Sequence, residues 1–230
     1  EGLLEPKTQA NEGQRCELQL ALGDAAVKAG DPARSRQALD VAVELARRLK
    51  DSERLARAAV AISWNFREVG TTEEVVIALL EEALGAIAQE DSRLRVRLLT
   101  HLGSELAFSA ARERSRSLAL EAVAVARRLG DPATLAEALS SMLGGTIDPV
   151  KVEEQLAVAG EAVELADRAG DRVQGMRARM SRVTTLFTLG DIAAVDRDIE
   201  AFTQLAEELR EPSWLWVAAL FPPMRALLDG

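Results

Sequence analysis

The stretch ARRLGDPATLAEAL at residues 126–139 matches, at eight of its 14 positions, the stretch ARRLKDSERLARAA at residues 46–59, which lies 80 positions earlier. Aspartate marks the same point in both stretches, and it recurs every 40 residues along much of the chain. A fixed period of this length indicates an array of supersecondary units. The series, with the polar residues that extend it at either end, is Asn11, Asp51, Asp91, Asp131, Asp171 and Glu211.

Glycine marks a second series with the same period. Because glycine ends a helix in the left-handed conformation and aspartate caps the next one, Gly-Asp pairs such as residues 130–131 and 170–171 indicate helix boundaries. The two series are offset by about 20 residues, so each repeat is predicted to contain two helices of about 18 residues. The glycine series is Gly30, Gly70, Gly190 and Gly230, with Ala110 and Val150 at the two remaining points.

Small residues occupy fixed positions in both predicted helices. We expect two such columns to be buried, because small side chains let neighbouring helices approach closely. The second-helix column is Ala46, Ala86, Ala126, Ala166 and Ala206, and the first-helix column is Leu18, Ala58, Leu98, Ala138, Ala178 and Ala218.

Together these patterns predict an all-α fold, an α-solenoid of antiparallel helix hairpins with about 40 residues per repeat and about 11 helices. Residues 1–10 are expected to form an N-terminal extension. Residues 11–230 are expected to form the superhelical repeat domain, with five hairpins and one unpaired C-terminal helix. No hairpin buries its apolar face alone, so stacking supplies the core.

The composition argues against several classes of function. The chain has 28 basic and 37 acidic residues and a formal net charge of −9, whereas a nucleic-acid surface must be basic. Its one cysteine, Cys16, fits a reducing compartment. The sequence contains neither a signal peptide nor an apolar run long enough to span a membrane. We therefore expect a cytoplasmic protein that by itself contacts neither nucleic acid nor membrane.

Residues 22–46, LGDAAVKAGDPARSRQALDVAVELA, resemble a tetratricopeptide repeat (TPR). The segment differs from that motif in its 40-residue period, in Ala26 at the tyrosine position and in the lack of a closing proline. The resemblance therefore indicates a TPR-like repeat. The matching residues are Leu22 and Gly23 at the leucine–glycine pair, Gly30 at the turn, Leu39 at the large apolar position and Ala42 at the alanine position.

Residues 126–139 and 165–209 also resemble the helical-repeat region of large ATP-binding LuxR-type transcription regulators of bacteria, similar to the maltose-system activator. The resemblance extends over roughly residues 14–230. It implies a helical sensor between an N-terminal nucleotide-binding module and a C-terminal helix-turn-helix. The chain itself has no G-x-x-x-x-G-K-[ST] stretch and no evident DNA-reading module, so neither activity is assigned to it.

The TPR resemblance implies that first helices line a concave groove that holds a protein or peptide partner, or a small-molecule effector. Three arginines of this groove share one column with Glu17 and Glu137, and guanidinium groups bind carboxylates or phosphates in a bidentate manner. The candidate groove residues are Arg57, Trp64, Arg67, Arg97, His101, Ser104, Phe108, Arg177, Thr184 and Phe187.

Other interpretations of these residues stay open. The arginine column also fits a solvated face of ion pairs, because arginine is the common base in a chain with only four lysines. Trp64 fits packing between helices as well as ligand contact, and His101 fits a structural role as well as a binding one.

Nothing in the sequence points to catalysis. The only histidine, His101, and the only cysteine, Cys16, lie two repeats apart, and no cluster has the spacing of metal ligands. We therefore predict a protein that is not an enzyme and that has neither cofactor nor metal.

The last predicted helix carries Trp214, Trp216 and Phe221 as candidate interface residues, and Pro222-Pro223 is expected to kink it. The sequence does not begin with methionine, and it stops at Gly230, where a second helix should begin. We therefore expect a piece of a longer protein whose next helix covers this apolar surface. In the isolated chain the same surface is expected to drive self-association.

Two functions compete at this point. The first is the sensor or interaction region of a larger LuxR-type ATP-dependent transcription regulator. The second is a stand-alone peptide-binding scaffold or adaptor. The flanking coding sequence would separate them, because only the first requires nucleotide-binding and helix-turn-helix modules.

Overall fold

The computed structural model describes residues 6–63, 74–107, 109–143 and 151–229, with side chains from Ala10 to Leu227 within those ranges. All regular secondary structure in these ranges is helical, which confirms the predicted all-α fold. None of the described helices is both long and apolar enough to cross a membrane. The helices of the described ranges are α1 (Pro6–Lys28), α2 (Pro32–Leu49), α3 (Ser52–Ser63), α4 (Glu74–Ala86), α5 (Arg93–Leu106), α6 (Arg112–Leu129), α7 (Pro132–Leu143), α8 (Val152–Ala169), α9 (Arg172–Leu189), α10 (Ile192–Leu209) and α11 (Pro212–Asp229).

Residues 1–118 form the first of two compact units. Among helices α1 to α5, every two consecutive helices pack against each other, as expected of successive helix hairpins. In addition, α1 contacts α3 and α3 contacts α5. The first helices of successive repeats therefore lie side by side in this unit.

Residues 119–230 form the second unit, which contains the end of α6 and helices α7 to α11. Here too each helix from α7 to α11 packs against the next, and α7 also contacts α9. The same arrangement of first helices is thus found in both units.

Aspartates cap the helices much as the 40-residue series predicts. Asp31 accepts a hydrogen bond of 3.0 Å from the backbone N–H of Arg34, and Asp131 accepts one of 2.9 Å from Thr134. Asp51, Asp171 and Asp191 make the equivalent contact. Each contact satisfies one of the N–H groups that the first turn of a helix leaves without a partner.

Two members of that series do not begin a helix. The N-cap of α5 is Ser92, whose side chain accepts from the backbone N–H of Arg95, so Asp91 lies one residue outside the cap. Asn11 lies within α1, which already begins at Pro6. The predicted start at residue 11 is therefore too late for the first helix.

Four glycines end helices in the left-handed conformation, with φ between 66° and 76° at Gly30, Gly130, Gly170 and Gly190. Lys50 and Arg210 hold the same conformation, with φ of 54°, at the ends of α2 and α10. Gly70 and Gly230 of the predicted series lie outside the described residues. The left-handed cap is thus kept at two repeat ends that lack glycine.

The second-helix alanine column is buried at four of its five positions, since Ala46, Ala126, Ala166 and Ala206 are at most 1% exposed. The prediction is wrong for Ala86, which is exposed. Helix α4 ends at Ala86, whereas the other second helices continue three residues beyond this position. In α4 the alanine that packs in the interior is Ala83, which is fully buried.

The first-helix column is also buried, except at its first member. Ala58, Leu98, Ala138 and Ala178 are fully buried, whereas Leu18 is 64% exposed. Helix α1 packs against α2 and α3, and no earlier described helix covers Leu18. This exception indicates that the column faces the first helix of the preceding repeat.

Candidate functional site

The predicted groove residues that the structure describes lie on three first helices, α3, α5 and α9. Arg57 is on α3, Arg97, His101 and Ser104 are on α5, and Arg177, Thr184 and Phe187 are on α9. Trp64, Arg67 and Phe108 lie outside the described residues. The candidate residues thus fall in both compact units.

In the first unit, Arg57 forms an ion pair with Glu17, the residue 40 positions earlier in the same column. Its Nη1 and Nη2 donate to the two carboxylate oxygens of Glu17, each at 3.0 Å. Arg54 adds a bond from Nε at 2.9 Å to Glu17 Oε1, and it also pairs with Asp51. The hydrogen bonds from Arg57 lower the pKa of the Glu17 carboxyl. The column is therefore held together, at this step, by charge pairing between repeats.

His101 lies next to a serine that sequence reasoning missed. Its Nδ1 is 2.6 Å from the Oγ of Ser63, at the end of α3, and that hydroxyl donates to the carbonyl of Val60 at 2.9 Å. Which of the two groups donates depends on the tautomer of the imidazole ring. The contact joins the end of α3 to α5 and so links these two first helices.

Two further polar candidates, Ser104 and Thr184, hydrogen-bond within their own helices. Ser104 donates to the carbonyl of Thr100 at 2.9 Å, and Thr184 donates to that of Ser181 at 2.8 Å. Both side chains are exposed and keep lone pairs that can accept from a ligand. Phe187 is half-buried and packs against the core cluster that contains Phe202.

The second unit places buried polar residues on two adjacent first helices, α7 and α9. Glu137 and Ser140 are 8% and 6% exposed, and Gln174 is 8% exposed. Among the described residues, Ser140 Oγ and Gln174 Oε1 are buried without a hydrogen-bond partner. Sequence analysis missed Ser140 and Gln174, although Ser140 follows Glu137 by one helical turn.

The repeat relates these residues to the ion-pair cluster of the first unit. Moving Glu17, Arg54 and Arg57 by 120 positions gives Glu137, Gln174 and Arg177. An arginine that binds the carboxylate in the first unit is thus replaced by a glutamine whose carbonyl oxygen is without a partner. The period could have identified this substitution from the sequence.

A cavity of about 400 Å³ lies on the other side of the first unit, between second helices α2 and α4. Val43, Ile62 and Val76 line its apolar part. The ion pair of Arg47 with Glu82, at 2.7 Å, forms part of its lining, and the hydrogen bond from Arg47 lowers the pKa of Glu82. None of the described groove residues lines the cavity.

Two of the three interface residues predicted from sequence belong mainly to the interior of the second unit. Phe221 is buried and packs edge-to-face on Phe202, with ring centroids 5.1 Å apart. Trp214 is half-buried against Phe202 with ring centroids 6.1 Å apart, whereas Trp216 is 55% exposed. Helix α11 runs through Pro222 and Pro223 without ending at them.

The described residues contain no group of three or more histidine, cysteine or acidic side chains that could hold a metal ion. Cys16 is fully buried, its Sγ is 3.4 Å from the carbonyl oxygen of Ala42, and burial raises the pKa of its thiol. A thiol in this position is a packing residue rather than a nucleophile.

No family model and no curated protein matches the chain. A solved structure does match, a signal transduction ATPase with numerous domains (STAND) protein with a tetratricopeptide repeat sensor from Pyrococcus horikoshii, with 14% sequence identity and a TM-score of 0.60. The match covers 95% of this chain and 34% of the other, so this chain spans about a third of that protein's length. This likeness confirms the predicted TPR-like α-solenoid, a fold that is typically non-catalytic.

Proposed function

We propose that this chain is the sensor or interaction region of a larger regulator and that it binds a protein or peptide along its first helices. The observation that carries the proposal is the pair of buried polar atoms, Ser140 Oγ on α7 and Gln174 Oε1 on α9, that lack hydrogen-bond partners among the described residues. Buried polar groups nearly always have such partners. Two such atoms on adjacent helices support a site at which a ligand supplies the partners.

The chemistry of these groups favours a peptide. Gln174 Oε1 accepts hydrogen bonds only, so it requires an N–H or O–H donor, whereas the Ser140 hydroxyl both donates and accepts. An extended peptide offers N–H and C=O groups at short intervals, and its carboxylates match the Arg177 guanidinium. A small-molecule effector with an amide group would satisfy the same atoms.

The test uses replacements that remove the polar atoms while keeping the side-chain volume. Peptides are selected from a displayed random library on the chain, and their affinities are then measured for Gln174→Met and Ser140→Ala. We expect each variant to bind at least about tenfold more weakly. Because an unsatisfied buried polar atom costs about 1–3 kcal/mol, the ligand-free variants should also be more stable than the wild type.

Thr134→Val is the matched control. Thr134 is 5% exposed, occupies the position of Gln174 one repeat earlier, and donates a 2.9 Å hydrogen bond from its backbone N–H to Asp131 Oδ2. Its hydroxyl also contacts Asp131, so this variant should lose stability but keep peptide affinity. If Gln174→Met, Ser140→Ala and Thr134→Val all bind the selected peptides as tightly as the wild type, the proposed site is refuted.

The regulator context is supported by the resemblance to LuxR-type transcription regulators and by the likeness to a STAND protein with a TPR sensor. In this proposal the chain acts without catalysis and without touching nucleic acid or membrane, and it passes the binding event to other modules. The coding sequence on either side of residues 1–230 tests it: a phosphate-binding module before them and a helix-turn-helix after them are required. Their absence would favour a stand-alone scaffold.

A further inference from the structure

Glutamate replaces an apolar residue at one point of the second-helix repeat, within α4. In α2, α6 and α8 the residue directly before the interior alanine is large and apolar, and it is at most 7% exposed. These residues are Leu45, Val125 and Leu165. In α4 the interior alanine is Ala83, and the residue before it is Glu82, whose side chain is 41% exposed. The repeat therefore has a carboxylate in α4 where three other second helices bury a hydrocarbon side chain.

The Glu82 side chain extends to α2. Its two carboxylate oxygens accept from Nε and Nη2 of Arg47, at 3.0 and 2.7 Å. Arg47 Nη1 also donates to Glu44, one turn earlier in α2, at 3.0 Å. Because Glu82 is held by Arg47, it does not fill the space between α2 and α4 as an inward-facing leucine would, and the cavity of about 400 Å³ lies there. Sequences depart from the pattern of their own fold mainly at functional sites, so this position is a candidate for one.

The cavity has an apolar wall. Val43 of α2, Ile62 of α3 and Leu79 of α4 line it, and each is at most 8% exposed. Val75 and Ala78 of α4 also line it and are exposed, so the cavity opens to solvent beside α4. Its volume lies in the range of small-molecule sites, which combine an apolar lining with a few polar groups. The wall therefore fits the hydrocarbon part of a small ligand.

The charged residues of the lining favour a cationic head group on that ligand. The acidic residues are Asp40, Glu44 and Glu82, and the basic ones are Arg36 and Arg47. The carboxylates are also the more accessible groups, since the side chains of Asp40 and Glu44 are 56% and 70% exposed, against 39% and 44% for Arg36 and Arg47. A carboxylate accepts several hydrogen bonds, so Asp40 and Glu44 can take a further donor while they keep their bonds to arginine.

We propose that the cavity between α2 and α4 binds a protonated aliphatic amine, with its hydrocarbon chain on the apolar wall and its ammonium group on Asp40 and Glu44. An ammonium group has three N–H donors and can serve both carboxylates. Like charges one turn apart on a helix repel each other, and the bound cation offsets this repulsion. The site uses neither Ser140 nor Gln174, so its test does not depend on the proposed peptide site.

Three probes with the same hydrocarbon chain and different head groups test the proposal: hexylammonium, 1-hexanol and hexanoate. Each is titrated at neutral pH into the ¹⁵N-labelled 230-residue chain, and the amide resonances of α2 and α4 are followed by NMR. We expect hexylammonium to bind saturably and at least about tenfold more tightly than hexanoate, with 1-hexanol between them, because hydrogen bonds between charged groups are the stronger ones. Butylammonium should bind more weakly than hexylammonium, since it buries two fewer CH₂ groups.

Four protein variants locate the contact. Glu82→Leu restores the residue type of the repeat, and Ala78→Phe fills the cavity from an exposed position, so each should weaken hexylammonium at least about tenfold. Ala124→Phe is the matched control, since Ala124 of α6 is an exposed alanine of another second helix outside the cavity lining, and it should leave affinity unchanged. Glu44→Gln should reduce the preference for hexylammonium over 1-hexanol. Circular dichroism verifies that each variant is folded.

The outcomes separate the proposed ligand from its alternatives. If hexylammonium gives no saturable shift of the α2 and α4 resonances, the proposal is overturned. Equal affinity for the three head groups would indicate a merely apolar cleft, and tighter binding of hexanoate would indicate an anion site on the arginines; either result overturns it too. Binding that persists in both Glu82→Leu and Ala78→Phe would place the amine elsewhere and overturn it as well. The expected order of head groups, lost in these two variants and kept in Ala124→Phe, supports it.

Discussion

Gly23 lies where α1 meets α2, and its replacement by alanine measures how closely the two helices of a hairpin approach. A Cβ at this position would lie 2.7 Å from both Cγ and Cδ2 of Leu39. Carbon atoms in favourable contact are about 3.5–4.0 Å apart, so one side chain has to move. Leu39 is 1% exposed, and its branch carbon therefore moves only if its neighbours do.

Two effects of opposite sign determine the stability of Gly23→Ala. Alanine favours a helix over glycine by about 1 kcal/mol. Overpacking a filled core costs about 1–3 kcal/mol. Gly13→Ala in the same helix isolates the first effect, because the nearest atoms to its Cβ belong to the Arg54 guanidinium at 3.8 Å, an ordinary contact. We expect Gly13→Ala to raise the free energy of unfolding and Gly23→Ala to lie about 1–3 kcal/mol below it.

Urea unfolding followed by circular dichroism, with amide exchange in α1 and α2, measures this difference. Exchange is needed because a repeat array need not unfold in one step. Leu39→Ala removes the atoms that crowd Gly23, so in that background Gly23→Ala should stabilise as Gly13→Ala does. If both glycine variants stabilise the wild-type chain equally, the close approach of α1 and α2 is refuted.

Three further predictions concern caps and charges. Lys50 has a left-handed φ of 54°, which glycine adopts at lower cost, so Lys50→Gly should raise the thermal midpoint and increase the free energy of unfolding by up to about 1 kcal/mol. Gly130→Ala should lower the midpoint for the same reason. A lower midpoint for Lys50→Gly would contradict this. Asp198 is 4% exposed and accepts two hydrogen bonds from Arg182. Asp198→Leu should therefore lower the free energy of unfolding in urea by about 3–5 kcal/mol, and adding Arg182→Met to it should recover most of that loss. An equal loss in the single and the double variant would contradict this. Arg57 lowers the pKa of Glu17, so the ion pair stabilises the folded chain fully above the ordinary glutamate pKa of about 4.3. This stabilisation is lost as the pH falls through the lowered pKa of Glu17, and it amounts to at most about 1 kcal/mol because the pair is exposed. Glu17→Gln should remove this part of the pH dependence of stability, and an unchanged profile would argue against the pair.

The period predicted the fold because it depends on residues whose role is local. A glycine at a helix end and an aspartate at the next start act through the backbone of their own turn, so their spacing gives the hairpin without knowledge of its neighbours. Ala86 shows the limit of this reasoning. Its identity fits the column, but α4 ends there, and the column records which residue is small rather than how far the helix extends.

The binding face was less predictable because it depends on which repeats meet. The column alone predicts that Arg57 contacts a ligand. In the structure, stacking places Arg57 against Glu17, and the two charged groups hydrogen-bond each other. Conversely, Gln174 and Ser140 carry no motif, and their significance comes from burial without a hydrogen-bond partner. The repeat in the sequence identifies which residues share a column. Only the packing between repeats shows whether such a residue is a paired charge or an acceptor without a hydrogen-bond partner.

In the proposed function, a ligand that reaches Ser140 and Gln174 acts at the contact between α7 and α9. The column that faces the preceding first helix holds Ala178 at this contact, whereas it holds Leu98 at the contact of α3 with α5. A buried methyl group contributes about 0.8 kcal/mol and a buried leucine about 1.5–3 kcal/mol, so this column holds α7 to α9 the more weakly. A ligand that bridges Ser140 and Gln174 adds hydrogen bonds of about 0.5–1.5 kcal/mol each across this contact. These bonds form at one spacing of the two helices, so in this proposal binding selects that spacing, which is the response that a sensor requires.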